Sequence, residues 1–304
     1  PGWGGPAHTT PPFGAASPAP PRARAARAAH HGVSPEMVLP TAGAAEAFTL
    51  IARAIPGTSL VIHPQFTEPE AALLAAGRAP GRHILAPPFT LDPAVVPPAE
   101  LIVVGNPTNP TAVLHPTAAL LQLPARTLVV DEAFLDAIPG EPETLIAPDM
   151  PGRLVLRSLT KTWALAGIRA GYVVGDPTLI AALERQQPPW SVSTPAVAAT
   201  LACLRSRAQE EAVALAEGAA RNRADLAQRL RALGLTPVPG AAPFVLVDTL
   251  SNESPRQALS ELGFAVRRGE TFPGLGPAWL RLAVRTPDVH EKLTGALRQL
   301  GVGR

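Results

Sequence analysis

The sequence predicts an α/β fold: a mostly parallel sheet flanked by helices, followed by a smaller C-terminal α+β unit. Three observations carry that expectation. Apolar, β-branched runs recur at residues 100–105, 127–131, 153–157 and 171–175, the pattern of strands buried on both faces. Helical stretches fit between several of them, the alternation that builds a parallel sheet. After Gly234 the pattern changes to a shorter set of strands and helices.

Composition narrows the classes. A chain of 304 residues can bury a full core, and its length leads us to expect two domains. The apolar share is 46% and the charged share 16%, with a net charge of +2 and scattered arginines, which does not point to nucleic acid. No apolar run reaches the ~20 residues that a membrane-spanning helix needs. Cys203 stands alone, which excludes an internal disulfide framework and suits a reducing cytoplasm. It lies in an Ala/Leu-rich helical run and reads as core. No metal site is expected.

In chain order, residues 1–32 form an atypical segment rich in Pro, Ala and Arg, read as loop with a short helix at 22–30. It lacks the apolar centre of a signal peptide. The chain begins at Pro1 rather than Met, which leaves room for a missing N-terminus. A large domain is expected over 33–205. It opens with a short apolar run at Val38-Leu39, then Thr41-Ala-Gly-Ala-Ala-Glu46, then a helix carrying Phe48, Leu50, Ile51 and Ala54. Gly43 and the small Ala44 and Ala45 at a helix start offer open N–H groups, an anion seat or simply a cap. Residues 59–63 form a strand ended by Pro64, Phe66 lies in the turn, 68–76 is helix and 82–86 strand. The run 100–105 leads into Asn106-Pro-Thr-Asn-Pro-Thr111, a turn held by two prolines. Residues 195–235 read as long helix, with 206–235 connecting to a small domain at 236–304. That domain has strands at 244–247, 264–267 and 279–284 and helices at 254–262 and 288–300.

The chemistry gathers around residues 158–172. Of 26 basic side chains only two are lysines, Lys161 and Lys292. An amine can lose its proton and attack a carbonyl, which a guanidinium cannot. Ser158, Thr160, Gly167 and Arg169 surround Lys161 with the parts of an anion site; an ordinary strand end and loop is the plainer reading. Gly43, Asn109, Asp131 and Lys161 all fall at strand C-termini or helix starts. In an open α/β sheet that edge is where ligands bind.

Three stretches in this order, 106–111, Asp131-Glu-Ala-Phe134 and 158–172, resemble those of the fold-type I enzymes dependent on pyridoxal 5′-phosphate (PLP). The branch is class I/II aminotransferases. Within it the chain looks like histidinol-phosphate aminotransferases and the threonine-phosphate decarboxylases of cobalamin biosynthesis. The resemblance spans about residues 33–302 and implies a seven-stranded-type sheet, a small-molecule amino-acid phosphate substrate and a homodimer. It implies that Lys161 binds the cofactor covalently and then serves as base or acid at the substrate Cα. Asp131 pairs with the pyridinium nitrogen, and Asn109 donates to the phenolic oxygen. Phe66 stacks on the ring; Ala44, Ala45, Ser158, Thr160 and Arg169 hold the phosphate. Arg281 grips the substrate carboxylate, Arg267 a second anion, and Trp190 belongs to the substrate loop.

Three departures matter. Many relatives have Tyr where Phe134 stands, and decarboxylase-like relatives often have Phe. The loop Gln187-Pro-Pro-Trp-Ser-Val-Ser193 also looks like theirs. The substrate-covering N-terminal arm is not recognisable in residues 1–30. The first expectation is therefore a threonine-phosphate decarboxylase-like activity. The alternative is transamination of histidinol phosphate or an aromatic amino acid; a third reading is PLP binding without turnover.

Overall fold

A computed structural model describes residues 19–251 and 254–303. The loop expected for the first residues falls on 1–18, outside that range. The short N-terminal helix is α1, Ala19–His31, and packs on the helix Thr194–Ala202 and the first strand.

Seven strands form the main sheet: β1 (Val38–Thr41), β2 (Ser59–His63), β3 (Gly81–Ile84), β4 (Ala99–Gly105), β5 (Ala125–Asp131), β6 (Arg153–Ser158) and β7 (Gly171–Gly175). Their order is β1-β7-β6-β5-β4-β2-β3. Strands β3, β2, β4, β5 and β6 run parallel, and β7 is antiparallel to both neighbours. Successive side chains of a strand point to opposite faces, and here both faces are covered. Leu101 and Val103 enter one core with Phe48, Leu50 and Ile51; Ile102 and Val104 enter the other with Val130 and Val155. That double burial is why these strands read as unbroken apolar runs.

The helices α2 (Ala44–Ala54), α3 (Glu68–Ala75), α4 (Thr117–Leu121), α5 (Pro177–Glu184) and α6 (Thr194–Ala202) follow strands of this sheet. The long helix expected over 195–235 is two helices. After α6 the chain turns at 203–205 and resumes as α7, Ser206–Ala232. Gln209 Nε2 donates to the Cys203 carbonyl at 2.5 Å across the break. Neither Pro nor Gly marks it, so helical periodicity runs through it unseen. Cys203 is buried, as expected.

A second sheet has three antiparallel strands in the order β8-β10-β9: β8 (Phe244–Asp248), β9 (Arg267–Arg268) and β10 (Trp279–Ala283). Leu226 and Leu230 of α7 share its core with Val245, Val247, Leu280, Leu282 and Leu297; the last comes from α9 (Pro287–Gln299), which follows the short α8 (Arg256–Glu261). The strand expected at 264–267 shrinks to two residues. The Phe264 N–H caps α8 by donating to the Leu259 carbonyl at 2.8 Å, and its ring packs on the core.

Candidate active site

Register places the chemistry on one edge. Gly105 of β4 lies opposite Asp131 of β5, Ser158 of β6 opposite Gly171 of β7, and Gly171 opposite Thr41 of β1. Crossing the sheet from β4 to β1 therefore meets Asn109, Asp131, Ser158 and Thr160, Arg169, and the start of α2. Neighbouring strands are ~4.8 Å apart, so Asp131 on β5 and the α2 end beyond β1, three strand spacings away, stand on the order of 14 Å apart along this row.

A cavity of about 180 Å³ runs along this row. Ala44, Ala45, Phe66, Asn109, Asp131, Phe134, Ser158, Thr160, Lys161 and Arg169 line it, so every residue expected to touch the cofactor is brought together. At one end, α2 begins after Gly43 with no side-chain cap, which leaves first-turn N–H groups open. Arg169 reaches over them from a left-handed backbone at φ 57°. Gly43 has φ 81°, and a Cβ on it would fall 2.7 Å from Arg169 Nη2. Only glycine gives both the turn and the close approach. Ser158 Oγ and Thr160 Oγ1 hydrogen-bond to each other at 2.8 Å beside them.

At the other end, Asp131 accepts one hydrogen bond on Oδ1, from Ala133 N–H at 3.1 Å. Burial pushes its carboxyl up to about 6, against the pull of the Ala133 N–H and of Lys161. A carboxylate this costly to ionise is short of a cation. Lys161 is shifted downward, first by burial and then by Arg281 and Arg169, with Asp131 opposing. Its Nζ stands 5.4 Å from the Phe134 ring centroid, and a phenylalanine there offers no hydroxyl to the cavity. Glu132, next to Asp131, is buried and pairs with Arg157 of β6 at 2.9 Å, tying the ends of β5 and β6 together.

Beyond Lys161 the space widens into a chamber of about 660 Å³, which shares Phe66, Asn109, Phe134, Thr160 and Lys161 with the smaller cavity. Arg267 and Arg281 line it, as expected. Arg281 donates from Nη1 to Asn109 Oδ1 at 2.6 Å, which leaves the Asn109 amide nitrogen as a donor. Burial and the neighbouring Arg267 bring Arg281 down to about 10. Its guanidinium lies 4.9 Å from the Phe244 ring, and that of Arg267 5.5 Å from the Phe272 ring. Trp190 is not brought in: it is 77% exposed and lines neither space. Phe244, Phe272, Arg285 and the α7 residues Ala216 and Ala219 also line the chamber, and none was singled out in the sequence. The alternation of Arg281, Ala283 and Arg285 against Leu280, Leu282 and Val284 was the one available signal.

The arrangement defines a class of protein. The class I and II aminotransferase family matches residues 78–297, and the chain belongs to it; it is a PLP-dependent enzyme. It is 48% identical over 267 residues to a histidinol-phosphate aminotransferase of Mycobacterium tuberculosis, covering 87% of this chain and 73% of that one. It is 33% identical to the threonine-phosphate decarboxylase of Salmonella typhimurium, covering 91% and 80%. Among solved structures it resembles an aspartate aminotransferase variant of Thermus thermophilus, with a TM-score of 0.80, 29% identity and coverage of 94% and 86%. PLP fits the cradle on the donors present: an anion seat at one end, a carboxylate lacking a cation at the other, and a lysine between.

Proposed function

We propose that this enzyme moves an amino group from a phosphorylated donor, of the histidinol phosphate type, to a 2-keto acid. One observation carries the reading: Lys161 stands between the cradle and a chamber lined by Arg267, Arg281 and Arg285 and by no carboxylate. Such a wall draws in multiply charged anions.

When bound, PLP supplies an electron-poor ring that spreads the charge left at the substrate Cα. The protein does the rest. Asp131 holds the positive charge of the ring nitrogen; the α2 start, Ser158, Thr160 and Arg169 hold the phosphate. Arg281, fixed by Asn109, orients the substrate. The lowered proton affinity of Lys161 keeps a share of its amine free to take the proton from Cα.

Decarboxylation of a threonine phosphate was the first expectation, resting on Phe134 and the loop around Trp190. The placement of Trp190 outside both spaces removes one of those supports. Phe134 packs by Lys161, its ring centroid 5.4 Å from Nζ, and remains a support for decarboxylation from resemblance alone. The similarity of 48% to a histidinol-phosphate aminotransferase, against 33% to a threonine-phosphate decarboxylase, favours transfer. A homodimer in a reducing compartment belongs to the same reading, from the resemblance and from the lone buried Cys203.

The test is a substrate screen with product identification. Histidinol phosphate should be consumed only when a 2-keto acid is present, with the matching amino acid formed. Release of CO₂ from threonine phosphate without a keto acid would overturn the transfer reading in favour of decarboxylation.

A further inference from the structure

We propose that Arg285 is a further specificity-determining residue, which receives the phosphate of the substrate at the α7 side of the chamber. This rests on the phosphorylated-donor reading above.

Three observations point to it. First, Arg285 continues the face of β10 that looks into the chamber. Leu280, Leu282 and Val284 pack in the core behind the strand, while Arg281, Ala283 and Arg285 line the chamber in front. Second, its backbone is held by a built support rather than a loose loop. The Arg285 N–H donates to His290 Nε2 at 2.8 Å, and His290 is fully buried. His290 Nδ1 is 2.7 Å from Asp225 Oδ2 of α7, so the ring donates to the carboxylate and accepts from Arg285. Third, the three arginines face this space with no carboxylate among its lining residues. No ion pair is formed by Arg267, Arg281 or Arg285 among the described residues.

The roles divide by position. Arg267 lies directly across from Arg281 in the strand register. Arg285 lies four residues farther along, on the order of 13 Å at ~3.3 Å per residue. Arg281 is partly committed to Asn109. A dianion is best held by more than one guanidinium fork, and Arg285 is the cation that a group reaching away from Lys161 toward α7 meets.

The test uses the PLP-loaded full chain with inorganic phosphate and maleate as inhibitors against the amino donor, in wild type, Arg285→Ala and Arg285→Lys. Arg285→Ala should weaken phosphate inhibition about five- to tenfold, the loss of one charge-assisted contact, and maleate inhibition by less than about twofold. Arg285→Lys should recover most of the difference. The support from His290 reaches only the backbone N–H, so thermal midpoints should match wild type; Arg285→Gln serves if the alanine variant is poorly folded. Unchanged phosphate inhibition, or equal losses for phosphate and maleate, overturns the assignment. If wild type prefers a phosphorylated donor and Arg285→Ala changes nothing, only Arg285 is ruled out. If wild type ignores phosphate and treats phosphorylated and dephosphorylated donors alike, the donor reading falls with it.

Discussion

Around Lys161 two spaces meet, and they are walled by different parts of the molecule. The smaller one is built from the edge of the seven-stranded sheet: Asp131 ends β5, Ser158 ends β6, and Ala44 opens α2 after β1. The larger one takes its far wall from the three-stranded sheet and α7, through Phe244, Arg281 and Ala216. The first is made of short motifs whose backbone is fixed by pairing within the seven-stranded sheet and double-sided burial. The second is made of single side chains that reach a common space from distant segments. In the proposed function, the chemistry common to every substrate falls to the rigid part and the choice of substrate to positions where one side chain can change alone.

That division can be broken most directly at its centre. Lys161→Ala should replace the visible band of PLP joined to the lysine by that of the free aldehyde, and cut turnover by on the order of 10²–10⁴ or more, the contribution of a positioned proton-transfer group. A Lys161→Ala protein with the wild-type spectrum would mean that the amine is not where the two spaces join functionally.

Asp131→Asn tests the cradle alone and should act in two directions. With PLP, turnover should fall on the order of a hundredfold, as ~3 kcal/mol from a broken buried charge pair corresponds to. Without PLP, the variant should be more stable at neutral pH. The folded carboxyl titrates near 6 and the ordinary value is 3.8. Between those values the folded protein holds a proton that the unfolded chain has released, so stability falls as pH rises through that window. Removing the acid should restore up to ~3 kcal/mol. Melting curves of the cofactor-free proteins at pH 4 and pH 7 decide it: equal midpoints for both proteins at pH 7 would count against the raised carboxyl.

The smallest effect is expected at the surface. Trp190→Ala in an isolated chain alters neither space, so KM and kcat should each stay within about twofold, the range of an exposed side chain remote from the site. A large rise in KM would show that assembly of copies carries Trp190 to the substrate.

Much of the cradle was legible in the sequence, and the reason is physical. A buried parallel strand announces itself as an apolar run, and the polar residues at its end are those that the sheet edge must use. Asn109, Asp131, Ser158 and Lys161 are therefore readable as neighbours although 52 positions separate the first from the last. The break at 203–205 and the two-residue β9 were not readable. A helix can stop without Gly or Pro when a side chain such as Gln209 takes the freed carbonyl, and Phe264 prefers the core to the ladder.

By itself the sequence determined the α/β architecture and the sheet edge on which Asn109, Asp131 and Lys161 stand, while the roles of the cradle residues came from the family resemblance. The architecture and the edge follow from short apolar runs and the polar residues at their ends. Tertiary structure alone decided that Trp190 stands away from the site, that Arg281 is tied to Asn109, and that Arg285 joins the chamber wall. Those are contacts between segments up to 172 residues apart, as for Arg281 and Asn109. No local pattern encodes them, because side-chain packing across the two sheets sets which distant groups share one space.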